Sequence, residues 1–343
     1  MSNLSSKKRK KINLALQGGG SHGAFTWGIL DYLLEDGRVW LTGISGTSAG
    51  AINAALVADG LERGSVDLAR ECLSNFWEAL SKAGRLSLVQ RTPLDRMNGD
   101  WSLDYSPGRM AFDAMTHTFS PYQFNPMNYN PLLDLLEQEI NFENVRRCED
   151  LKLFVCATNV RTGKSKIFKQ EDLTAQTIMA SCCLPEIFHA VEVDGEHYWD
   201  GGFMGNPALY PLFYHTDCAD VLLVQINPVA RDEVPVTARD INNRLNEITF
   251  NATLLRELRM VDFVTRLLDH DKLDPETYKR VNMHSVGPAE EMTKLSSSSK
   301  LNVELEFLHY LRDLGRANAR QWLDENFDKI GKESSLNLRE MFE

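Results

Sequence analysis

Two short apolar runs lie in the first sixty residues, each ending in a glycine turn that leads into a helical pattern, and they constrain the fold more than any other feature. Ile12 to Gln17 runs into Gly18, Gly19, Gly20, Ser21, His22 and Gly23. Ala24 to Glu35 then sets Phe25, Ile29, Tyr32 and Leu33 on one helical face. Leu41 to Ser45 is the second run, Gly46, Thr47, Ser48, Ala49 and Gly50 the second turn, and Ala51 to Ala58 an Ala-rich helix start. Two successive strand, turn and helix units predict a mainly parallel sheet with helices on both faces, a three-layer α/β/α arrangement.

Further along, Val66 to Leu80 reads as an amphipathic helix and Pro131 to Ile140 as another. Between them Gly84 to Asn130 keeps no period and is rich in Pro, Asn, Met and aromatic residues, the composition of a lid or acyl-site insertion. Leu151 to Val160 and Ser165 to Lys169 read as strands joined at Thr162 and Gly163, Ala190 to Trp199 as a hairpin with Asp194 and Gly195 at its tip, and Asp220 to Ile226 as a buried strand. After Asn227 two long amphipathic helices are expected, Asp240 to Leu268 and Leu301 to Trp322, the second preceded by a polar break at Ser296 to Ser299. The chain thus divides into a basic flexible tail (1–11), an α/β domain (12–236, with 84–130 as its insertion) and a helical C-terminal part (237–343) packed on that domain.

A net charge of -11 argues against nucleic acid as a partner, because a phosphate backbone rewards clustered Lys and Arg. The basic run Lys7 to Lys11 is followed by an apolar run too short for a signal peptide, and no 18-residue apolar window spans a membrane. The tail reads as a solvated end, with a peripheral contact to anionic lipid at a membrane surface as the alternative. Six cysteines without a CxxC pair read as reduced core thiols in a cytoplasm-like compartment, and eight histidines without HxxxH spacing give no metal site. Self-association is left open by the sequence.

Gly46 to Gly50 is a GxSxG between strand and helix. Small neighbours let a serine sit on a strained turn with its hydroxyl exposed, and the helix start adds positive potential. Gly18 to Gly23 lets backbone N–H groups converge on an anion; it lacks the GK[ST] of a phosphate loop and, one strand over from a serine elbow, suits an oxyanion hole. Asp200, Gly201 and Gly202 follow the hairpin, where an aspartate with two glycines is ordinarily a turn.

In this order and at these separations, GGGSHG, GTSAG and DGG resemble the patatin-like phospholipase family, over roughly Ile12 to Asn227. The resemblance implies a patatin-like catalytic domain over 12–236 and a Ser/Asp dyad without histidine. It makes Ser48 the nucleophile, Asp200 the base, Gly18 to Gly23 the oxyanion loop, Gly46, Thr47, Ala49 and Gly50 the elbow, and Gly201 and Gly202 the base loop. Asn206 and Pro207 stand where the family often has Asn and Pro. The expected activity is hydrolysis of carboxylic esters of fatty acyl lipids, of phospholipase A, lysophospholipase or esterase type, with no cofactor. The chain departs at His22, where the family usually carries Arg or Lys; a histidine with an ordinary pKa near 6.5 is only partly charged at neutral pH. Two alternatives remain: an α/β-hydrolase triad using His215, His270, His284 or His309, and a lipid-binding module without turnover.

Overall fold

In the computed structural model, residues 9–85, 87–288 and 290–342 are described. Most of the expected basic tail lies outside these residues; Lys10 and Lys11 already belong to β1 (Lys10–Leu16), and the Lys10 ammonium donates to the Phe327 and Ile330 carbonyls at 2.7 and 2.9 Å. After β1 come α1 (Gly23–Asp36), β2 (Val39–Gly46), α2 (Ala49–Glu62) and α3 (Val66–Gly84), as the first two units predict. The segment 84–130 holds α4 (Pro93–Met97), α5 (Pro107–Thr118) and α6 (Pro121–Phe124), and α7 (Pro131–Glu139) and α8 (Phe142–Arg147) follow. Next are β3 (Lys152–Asn159), β4 (Ser165–Lys169), α9 (Ala175–Ser181), β5 (Val191–Val193), β6 (Glu196–Asp200), α10 (Tyr210–His215) and β7 (Asp220–Val224). The chain closes with α11 (Ala238–Asp269), β8 (Asn282–Val286), α12 (Glu290–Thr293) and α13 (Leu305–Asn326).

The eight strands form one sheet in the order β5-β6-β3-β2-β1-β7-β8, with β4 also on β3. Pairings β1/β2, β1/β7, β2/β3 and β7/β8 are parallel, whereas β3/β4, β3/β6 and β5/β6 are antiparallel. Strand alternation separates two cores. Ile12, Leu14 and Leu16 of β1 and Leu222 and Val224 of β7 face the core under α1, α2, α3 and α13. Ala15, Val221 and Leu223 face the other, against Leu209, Leu212 of α10 and Leu254 and Leu258 of α11. These are the three layers. β8 is not anticipated by the sequence reading: NMHSV mixes polar and apolar residues, and its strand state comes from pairing with β7.

The last long helix is bound closely to the first. A Cβ placed on Gly28 of α1 would sit 1.9 Å from the Arg312 carbonyl oxygen of α13, so the crossing leaves no room for a methyl group. Gly28→Ala is therefore expected to force these helices apart and lower stability by about 1–3 kcal/mol, measured as a reduced urea midpoint with an unchanged slope.

Candidate active site

The glycine loop and the serine turn lie side by side at the carboxyl ends of β1 and β2. Ser48 has φ 54° and ψ -123°, a conformation that a side chain rarely adopts and that costs about 1–3 kcal/mol. The cost is met by a lattice of bonds. Thr47 N–H donates to Leu16 O (3.2 Å), Gly50 N–H to Thr47 O (2.8 Å) and the Thr47 hydroxyl to Gly205 O (2.6 Å). The Ser48 N–H donates to the Ser181 hydroxyl at 2.9 Å, which in turn donates to Cys156 O at 2.6 Å. Ala49 opens α2, so its N–H lacks an intrahelical acceptor and adds to the positive end of the helix.

Asp200 ends β6 opposite Ala157 of β3, and its carboxylate lies beside the Ser48 hydroxyl. It is 1 % exposed. Its Oδ1 accepts from Gly202 N–H at 2.7 Å, its own N–H donates to Cys183 O at 2.7 Å, and the Thr158 hydroxyl holds its carbonyl at 2.8 Å. The two following glycines are fixed by space: a Cβ on Gly201 would lie 2.0 Å from Cys156 O, and one on Gly202 would lie 2.2 Å from the Phe250 ring. Burial raises the Asp200 pKa to about 7, against the opposing pull of Gly202 N–H and the Ser48 hydroxyl.

The loop Gly18 to Gly23 is gripped by asparagines. Gly18 N–H donates to Asn206 Oδ1 at 2.6 Å, while Asn227 Nδ2 donates to Gly18 O at 2.7 Å. Buried Gln17 ties both supports together: its Nε2 donates to Asn206 O (3.3 Å) and Asn251 Oδ1 (3.1 Å), and its Oε1 accepts from Ile226 and Asn227 N–H (2.9 Å each). Ser21 is buried and Gly23 O accepts from Asn53 Nδ2 at 3.0 Å. His22, 4 % exposed, has Nε2 2.7 Å from the Ser299 hydroxyl. Burial first, then Lys300 and Arg231, push its pKa down to about 3, so it is neutral, not partly charged.

The sequence reading missed Gln17, Ser181, Asn227 and Asn251 as supports. For Gln17 a signal existed, since a glutamine closing a buried apolar run must find partners; the other three carry no local pattern. The histidines of the alternative triad are engaged elsewhere. His284 Nε2 is 3.0 Å from Asp220 Oδ1 and its Nδ1 2.9 Å from the Ser335 hydroxyl, His215 stacks on Phe154, His270 caps α11, and His309 packs on Trp27. All six cysteines are buried and unpaired. Among the described residues no cluster of three or more His, Cys, Asp or Glu is placed to hold a metal, and no helix is long and apolar enough to cross a membrane. An open cleft of about 830 Å³, lined by charged residues including Glu62, Arg147, Glu149 and Glu171, contains no residue of this site.

A sequence model of the patatin-like phospholipase family matches residues 14–213. The chain belongs to this family. The patatin-like segment contains both Ser48 and Asp200 and ends before β7. No curated protein matches the chain. Among solved structures, VipD from Legionella pneumophila is similar at 17% identity over 92% of this chain and 67% of that one, with a TM-score of 0.42. The type III effector ExoU is similar at 13% identity over 91% of this chain, which spans 52% of the length of that structure, with a TM-score of 0.38.

Proposed function

We propose that this patatin-like chain is a serine acyl hydrolase that cleaves carboxylic esters of fatty acyl lipids through a Ser48/Asp200 dyad. The observation that carries the reading is the Asp200 carboxylate, buried beside the hydroxyl of a serine held at φ 54°. Ser48 Oγ attacks the ester carbonyl as its proton passes to Asp200, and the amides of Gly19 and Gly20 hold the oxyanion. Collapse of the adduct expels the alcohol, which takes the proton from Asp200 and leaves an acyl enzyme. Asp200 then takes a proton from a water that attacks the acyl carbonyl, and as this second adduct collapses the proton returns to Ser48 Oγ, freeing the fatty acid and restoring the dyad.

The insertion supports the substrate class. Tyr122 stacks on His189 and its hydroxyl accepts from Ala190 N–H at 3.1 Å, which brings α6 to the loop after Cys183. At its other end, Leu103 N–H donates to the Ser298 hydroxyl at 2.9 Å, next to the Ser299 that meets His22. Met97, Tyr105, Met110 and Phe119 are exposed, an adaptable apolar surface suited to acyl chains. The test is hydrolysis of nitrophenyl esters of graded chain length and of phosphatidylcholine and lysophosphatidylcholine, with Ser48→Ala as the blank. Turnover above that blank is expected. Phe119→Ala and Phe124→Ala should shift the chain-length optimum while leaving an acetyl ester within about threefold. Equal loss at all lengths would make the insertion a structural cover, and lipid binding without turnover would sink the enzymatic reading.

A further inference from the structure

The polar break at Ser296 to Ser299 runs into a 3₁₀ turn, Ser297–Leu301, that lies against the glycine loop. A Cβ on Gly20, where φ is +58°, would sit 2.4 Å from the Lys300 carbonyl oxygen. The Lys300 ammonium donates to Asn227 Oδ1 at 2.7 Å, and Asn227 Nδ2 donates to Gly18 O at 2.7 Å. An ammonium only donates and a carbonyl only accepts, so these two neighbours fix which way the Asn227 amide points. Its backbone is fixed too, by the bond from its N–H to Gln17 Oε1. Gly18 C=O and Gly19 N–H belong to one planar peptide group. Among the described residues that N–H has no protein acceptor.

We propose that Lys300 is a positioning residue for the oxyanion hole, polarising and orienting the Gly19 N–H through the Asn227 amide and the Gly18–Gly19 peptide. The inference rests on the acyl-hydrolase reading above. A charge-assisted bond heads the chain Lys300, Asn227, Gly18. Each bond strengthens the next, and the last donor meets the developing negative charge in a dry site, where such a donor counts most. His22, being neutral, leaves this role unfilled from within the loop.

Three elements present charge to Lys300: Glu247 from α11, Arg231 from the segment after β7 and Asp200 from the end of β6; His22 of the glycine loop also faces it but is neutral. Glu247 is itself held by Arg231 at 2.6 Å and Arg244 at 3.0 Å. Burial lowers the Lys300 pKa to about 8 and Arg231 pushes the same way, while Glu247 and Asp200 oppose them. The cation is thus present below about pH 8 and lost as pH rises through it. In return, Lys300 favours the Asp200 carboxylate.

The test is the pH dependence of kcat and KM on a short nitrophenyl ester for wild type, Lys300→Met and Lys300→Arg, each corrected with Ser48→Ala and checked for folding by circular dichroism. Wild-type kcat should fall above about pH 8. Lys300→Met should lower kcat by about 10- to 100-fold with KM within about threefold, lose the alkaline limb, and shift the acid limb upward. Lys300→Arg should recover most of kcat and carry its activity beyond pH 10, where guanidinium stays charged. A folded Lys300→Met that keeps kcat within about twofold, a loss confined to KM, or an alkaline limb shared with wild type would each overturn the proposal. Should Lys300→Met not fold, wild type and Lys300→Arg still decide it: a limb near pH 8 present only in wild type supports it, and the same limb in both overturns it. Turnover that survives Ser48→Ala would instead overturn the acyl-hydrolase reading itself.

Discussion

Ser48→Ala and Asp200→Asn should each lower kcat by about 10⁴-fold or more, and the double variant should be little worse than either. The non-additivity is the informative part. The two side chains perform one event, transfer of the serine proton as the C–O bond forms, so removing the second partner after the first takes away nothing that still operates. Asn in place of Asp keeps the side-chain size and can still accept the Gly202 N–H bond that turns residue 200 toward Ser48, yet it cannot take a proton. Replacing His215, His270, His284 or His309 should cost less than about tenfold each. His284→Asn will lower stability through the lost bonds to Asp220 and Ser335, so its kcat must be read on folded protein. A histidine variant that is folded and as dead as Ser48→Ala would replace the dyad with a triad.

The second large effect is on pH. Because the base must be ionised and burial puts the Asp200 pKa at about 7, kcat/KM should drop about tenfold for each pH unit below 7, reaching roughly 10²-fold at pH 5. Stability should run the opposite way. The folded protein keeps a proton on Asp200 between about pH 4 and 7 that the unfolded chain releases, so stability falls as pH rises across that window and levels off above it. Glu257, which accepts the Leu209 and Tyr210 N–H bonds at 2.8 and 2.9 Å, is also raised to about 7 by burial and adds to the same slope. Asp200→Asn should therefore melt several degrees above wild type at pH 8, with the gap closing near pH 4 and a residual slope left by Glu257. A variant that melts lower than wild type at pH 8 would show that the carboxylate is not held at an energetic cost.

These residues differ in how they announce themselves. Ser48, Asp200 and the glycine loop are readable because strained turns and close backbone approach demand glycine at fixed offsets, and the β1 to α2 grammar is readable because each element follows its own period. Gly84 to Asn130 reads as irregular, yet it contains α5, a three-turn helix started by Ser106 and Pro107. No residue of α5 is buried, so its helical state owes little to core packing, and its short period is submerged in the Pro-, Asn- and Met-rich run around it. β8 is hidden for the converse reason, since its partner β7 and not its own pattern sets its state. The charge state of Asp200 and His22 is set by what folds over them, which no local spacing encodes.

The position of β1 has a consequence for how the chain is made. Leu14 pairs with Ile44 on one side but must wait for Leu222 on the other, and β7 in turn waits for β8. During synthesis at about 5–20 residues per second, β1 therefore presents a bare edge for roughly 10–40 s, along with the apolar face that α10 and α11 will cover. A strand made well before β7, and paired with the strand that leads into the serine elbow, thus waits for its second neighbour. Slower elongation lengthens that interval and cooling weakens the apolar contacts that would mispair it, so recovery of soluble protein should depend on which of these dominates, and on holdases that occupy the open edge until residue 286 has emerged.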